Sequence, residues 1–95
     1  MIRIGRPWPV AIALLLGACT TAAPPRAELG AAGSAIAAAE RSGAAERAPT
    51  ELNSARMKYQ GADAAMRGAE YDRAARLARE AEIDAQLATA KAEAA

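Results

Sequence analysis

The side chain best placed for covalent chemistry is the chain's one thiol, Cys19, and there is no imidazole to assist it. The 95 residues hold no His and no Phe, three aromatics (Trp8, Tyr59 and Tyr71) and 30 alanines. Without His there is no Ser-His-Asp arrangement, no imidazole general base and no usual zinc site. A single Cys forms no internal disulfide. Acidic pairs such as Glu80 and Asp84 lie amid arginines, on what should be a solvated face. No Gly-rich phosphate loop and no cluster with metal-ligand spacing is present, so the sequence predicts no enzyme, no cofactor and no small-molecule substrate. Lys and Arg number 12 against 11 Asp and Glu. Setting aside Arg3 and Arg6 leaves 10 against 11, so bulk charge attracts no nucleic acid.

A leader positions Cys19. Arg3 and Arg6 supply a positive start, and residues 10–16 (Val-Ala-Ile-Ala-Leu-Leu-Leu) an apolar run. Small Gly17 and Ala18 follow, the three-part pattern of a secretory signal peptide. From Trp8 to Ala18 a helix would rise roughly 16 Å, about half of a ~30 Å hydrocarbon core, so a permanent transmembrane anchor is not expected. Leu16-Gly17-Ala18-Cys19 resembles the bacterial lipobox. That resemblance implies diacylglycerol on the Cys19 thiol, cleavage before Cys19 and acylation of the new amino terminus. Two or three acyl chains hold a protein on a bilayer stably. Thr20, where Asp would signal inner-membrane retention, favours the periplasmic face of the outer membrane. Trp8 goes with the leader and takes no role. The expected organisation is a signal peptide at 1–18, a lipid anchor and tether at 19–25, and a helical domain at 26–95.

Beyond the tether, whose Pro24 and Pro25 favour extended polyproline II, three segments carry helical spacing. The first covers about 26–42, with Leu29, Ala32, Ile36 and Ala39 on one face, and Gly43 as its stop. A loop is expected over 43–48. The second covers about 49–67, with Pro49 in the first turn and Leu52, Ala55, Tyr59, Ala62 and Met66 on one face. Gly68 ends it. The third covers about 70–93, with Tyr71, Ala74, Ala78, Ala81, Ala85, Ala88 and Ala92 on one face. Ion pairs are expected between Asp72 and Arg76, Arg76 and Glu80, and Arg79 and Glu82. The fold class is all-α: an antiparallel helical hairpin plus an N-terminal helix, forming a small alanine-rich three-helix bundle.

The packing seam is read as Leu52, Ala55, Tyr59, Ala62, Met66, Tyr71, Ala74, Ala78, Ala81, Ala85 and Ala88. Its spacing, kept over three heptads, implies helices crossing at a shallow angle. Alanine lets axes approach closely but buries little area, so a lone copy is marginal. Ile83 and Leu87 share a different face. Two readings stand for it, a second packing surface for the first helix and an exposed docking ridge, and the first is preferred.

From position 48 the order Ala48-Pro49-Thr50-Glu51-Leu52, Ala55, Lys58, Ala62, Glu70-Tyr71-Asp72, Ala74, Leu77-Ala78, Ala81, Asp84-Ala85, Leu87-Ala88 and Lys91-Ala92 resembles a bacterial periplasmic lipoprotein family, domain of unknown function 4398. The likeness covers residues 27–93 and implies an all-helical, envelope-associated domain. Some members carry a downstream OmpA-like peptidoglycan-binding domain, whose function does not transfer. Residues 68–74 also look like the turn and second-helix start of a tetratricopeptide repeat, here read as hairpin geometry with Tyr71 at the corner.

These readings predict an outer-membrane-anchored lipoprotein, a structural or protein-interaction module of the cell envelope. Its partners are the membrane, through lipidated Cys19, and an envelope protein or a second copy. The alternative is a small membrane-active or cell-wall-associated lipoprotein. It is the weaker reading: acids cancel Arg73, Arg76 and Arg79, the third helix's main apolar face is alanine, and Lys91 poorly matches a terminal peptidoglycan-linking Lys.

Overall fold

The computed structural model describes residues 23–95, all-α and without a strand among them. The leader, Trp8 and Cys19 lie outside the described residues. Four helices follow one another: α1 (Arg26–Arg41), α2 (Ala44–Arg47), α3 (Pro49–Arg67) and α4 (Tyr71–Ala94).

Each long helix places an acid in its first turn (Glu28, Glu51, Asp72) and a base in its last (Arg41, Arg67, Lys91). Both complement the helix dipole. α1 closes on Ser42, whose N–H and Oγ both donate to the Ala38 carbonyl, the latter at 3.0 Å. Gly43 then takes φ 84°, a left-handed conformation that glycine adopts without steric penalty.

The expected loop at 43–48 contains a helical turn, α2. The Gly43 carbonyl accepts from the N–H groups of Glu46 and Arg47, and Ala44 accepts from Ala48. A four-residue turn is too short to show a periodicity in sequence, but it buries Ala44 and Ala48 in the core. The Ala48 carbonyl accepts from the Leu52 N–H, and Pro49 occupies the first turn of α3.

α3 ends at Arg67, with Gly68 as its cap. The left-handed residue of this turn is Ala69, at φ 59°. Glu70 N–H donates to the Ala65 carbonyl (2.8 Å) and Ala69 N–H to that of Met66 (3.1 Å), the paired bonds of a Schellman ending. Glycine therefore stands one position before the residue whose backbone needs it.

Partners across the bundle fix its topology. Positions 51, 58 and 61 of α3 meet 91, 84 and 77 of α4, so these helices are antiparallel. Positions 33 and 40 of α1 meet 59 and 56 of α3, so those two are also antiparallel. It follows that α1 runs parallel to α4. α3 and α4 come close at Gly61, where a Cβ would stand 3.2 Å from Leu77 Cδ1.

Candidate functional site

The buried interior is built almost wholly of alanine. On α4, Ala74, Ala78, Ala81, Ala85, Ala88 and Ala92 are fully buried. α1 adds Ala32, Ile36 and Ala39, and α3 adds Leu52, Ala55, Ala62 and Ala65. Leu52 is the one large side chain that is fully buried among the described residues. It belongs to a cluster with Ile36, Ala39, Ala55, Ala85 and Ala88, while Ala32, Ala62, Ala78 and Ala81 form a second. Tyr59 packs against both clusters from a half-buried position, its ring over Gly33.

The seam expected from spacing maps onto this interior unevenly. Leu52, Ala55, Ala62, Ala74, Ala78, Ala81, Ala85 and Ala88 are buried, whereas Tyr59, Met66 and Tyr71 are half-buried. Toward the end of α3 the buried position is Ala65 rather than Met66. Successive residues point about 100° apart, so at the end of α3 the inward face has moved to the Ala62 and Ala65 side of the helix.

The preferred reading of Ile83 and Leu87 as a packing surface for α1 is corrected. They are 62% and 48% exposed, and Met57 on α3 is 70% exposed. Each buried cluster draws residues from all three long helices, so α1 and α3 both settle on the alanine seam of α4 and leave the bulkier stripe outside. Small side chains permit shorter interaxial distances, and this arrangement places three backbones close together.

Polar pairs clamp the helices along their sides. Asp84 Oδ2 accepts from Ser54 Oγ at 2.7 Å and lies 2.9 Å from Lys58 Nζ. Burial pushes the Asp84 carboxyl up, but the bonds from Lys58 and Ser54 outweigh it and hold the group below its usual range. The bond to Asp84 raises the Lys58 ammonium. Glu51 is lowered, chiefly by its bond from Lys91 at 2.5 Å. Arg56 and Glu40 meet at 2.7 Å between α3 and α1. Arg47, placed by the α2 turn, donates to the Ala92 carbonyl at 3.2 Å. It thereby satisfies one of the carbonyls left free at the end of α4.

Of the three ion pairs expected along α4, Arg76 and Glu80 stand 3.9 Å apart. Among the described residues Asp72 and Arg79 join no ion pair; Arg67 meets Asp63, and Arg73 meets Glu70 at 3.4 Å. The inter-helix pairs from Ser54, Lys58 and Glu51 depend on how α3 is rotated against α4, which spacing along a single helix does not carry. No group of three His, Cys, Asp or Glu among the described residues is arranged to hold a metal ion. What this surface offers instead is contact: two shallow grooves flanking α4, and the exposed stripe of Ile83 and Leu87. One groove, between α1 and α4, is lined by small residues such as Ala35 and Ala38, with Glu82 and Glu93 also on its lining.

No curated protein and no solved structure matches the chain. Residues 27–95 match the family described as Domain of unknown function (DUF4398), which takes in all of α2, α3 and α4 and nearly all of α1. The chain belongs to that family.

Proposed function

We propose that the chain is a lipoprotein anchored through Cys19 at the periplasmic face of the outer membrane, its bundle serving as a structural or protein-interaction module of the envelope. One observation carries the reading: the junction Leu16-Gly17-Ala18-Cys19 behind a positive start and an apolar run, with the chain's one thiol at the cleavage point. The short stretch between Cys19 and the start of α1 at Arg26 supports it, because the bundle would sit close to its anchor. The interaction role draws on Met57, Ile83 and Leu87, the large apolar side chains left exposed among the described residues. No helix among the described residues is long and apolar enough to cross a membrane.

Mass spectrometry of the membrane-extracted protein tests the anchor. A mature chain beginning at Cys19 and carrying acyl chains is expected, and Cys19→Ser should abolish both cleavage and acylation. A free Cys19 thiol would sink the reading. So would a Cys19→Ser protein that loses its leader and still fractionates with the membrane.

A further inference from the structure

The outward side of α4 carries a second heptad. Arg76, Glu80, Ile83, Leu87, Ala90 and Ala94 recur at 4, 3, 4, 3, 4, opposite the buried alanines. At 100° per residue these six stay within one stripe. Ile83, Leu87, Ala90 and Ala94 are all exposed. Beside the stripe stand Arg79, Gln86 and Glu93, one heptad apart and also exposed. Among the described residues neither Arg79 nor Glu93 has an ion-pair partner within the chain.

We propose that this face docks a second copy of the chain, α4 against α4 in antiparallel fashion, about a two-fold axis level with residue 85. The inference rests on the interaction-module reading above and not on lipidation. In that register Ile83 meets the partner's Leu87 and Leu87 meets the partner's Ile83, giving two central aliphatic layers. Glu80 then faces the partner's Ala90, and Arg76 faces the partner's Ala94, so no charge meets its like in these layers; on the flank away from Gln86, Asp84 stands opposite the partner's Asp84, each held by Lys58 and Ser54 of its own chain. Arg79 falls beside the partner's Glu93 and Glu93 beside the partner's Arg79. The two-fold thus pairs Arg79 with Glu93, neither of which joins an ion pair within one copy among the described residues. Such isologous contacts are the commonest way for a chain to self-associate.

A parallel pair would set Arg76 on the partner's Arg76 and Glu80 on the partner's Glu80, which charge repulsion opposes. An anionic lipid surface would suit Arg76 and Arg79 but would repel Glu80 and Glu93. A second copy supplies the arginine that Glu93 lacks.

The test uses the full chain, extracted in mild detergent and sedimented over a range of concentrations. A dimer is expected. Arg79→Glu and Glu93→Arg should each weaken it about tenfold, since each turns two attractions into two repulsions. The double variant should restore it, an outcome that general stickiness would not produce. Ile83→Gln should weaken it on the order of a hundredfold, from the loss of two central contacts. Circular dichroism should be unchanged throughout, because every altered side chain is exposed. With a mild thiol oxidant added to intact cells, Gln86→Cys, which faces itself across the axis, should form a disulfide-linked dimer.

A chain that stays monomeric at every concentration overturns the proposal. So does a dimer indifferent to both charge reversals, or a Gln86→Cys cross-link to a different protein. If any of these came with an acylated Cys19, the anchoring reading would stand while the second copy fell.

Discussion

Helix α4 carries two stripes of heptad spacing, and the smaller side chains are inside. The inner stripe is alanine at six successive positions, all fully buried. The outer stripe holds Ile83 and Leu87, both substantially exposed. A hydrophobic effect counted by residue type would invert this order, because a buried Leu contributes more than a buried Ala. Geometry reverses it. Alanine on α4 lets α1 and α3 settle against one face, and dispersion between close backbones adds to what little area the methyl groups bury. The inner stripe is thus selected by the space available, and the outer stripe is free to be selected by a partner.

The sharpest way to break the inner side is at its one large fully buried residue. Leu52→Ala should cost ~2–5 kcal/mol, the usual range for emptying a buried leucine site. In a chain this small that is a large share of total stability. Urea unfolding should show a lower midpoint with little change in slope; an unshifted midpoint would mean that Leu52 is not packed as described. Next comes overfilling. Ala81→Leu or Ala85→Leu should cost ~1–3 kcal/mol, because neither α1 nor α3 can accept a larger side chain without moving.

A change at the turn should act in the other direction. Ala69 holds a left-handed conformation that an L side chain resists, while Gly68 beside it does not need that freedom. Ala69→Gly should therefore stabilise by ~1 kcal/mol, raising the thermal midpoint by several degrees. A Cβ at Gly68 would meet only ordinary contacts, the nearest at 3.7 Å, so Gly68→Ala should be tolerated. A lower midpoint for Ala69→Gly would contradict the assigned turn.

The side clamps contribute less. Asp84 and Glu51 are held below their usual range, so their contribution is full above the unfolded carboxylate value and lost as pH falls through the folded one. Lys58 is raised, so its contribution is full below the unfolded value and lost only as strong alkali carries pH through the folded one. Asp84→Asn should flatten the acid limb of the stability profile, by under about 1 kcal/mol. An acid limb that kept its full slope would show that this clamp is not what titrates.

Much of this was legible because alanine and the larger apolar residues recur at 3 and 4. The three long helices and the buried alanines of α4 follow that rhythm, and Pro49 and Gly68 mark the ends of α3. Three features did not. The α2 turn is too short for a period. Ala65 takes the buried place near the end of α3 instead of Met66, a change of face that spacing along one helix does not announce. Ile83 and Leu87 looked like packing residues because periodicity shows that a face exists, not what covers it. In a chain with alanine on every side, Ala64 and Ala90 sit exposed while Ala62 and Ala88 are buried, and side-chain type alone separates neither pair. Cys19 lies outside the described residues, and its role rests on the leader pattern.

The most direct measurement compares the two stripes in one experiment: thermal unfolding of Ala85→Leu and of Ile83→Ala, at a dilution where association is absent. Ala85→Leu adds apolar bulk to the inner stripe, and Ile83→Ala removes it from the outer one. The account predicts a midpoint several degrees lower for Ala85→Leu, and a change equivalent to no more than about 0.5 kcal/mol for Ile83→Ala. A rise for Ala85→Leu together with a large fall for Ile83→Ala would mean that the stripes are assigned the wrong way round.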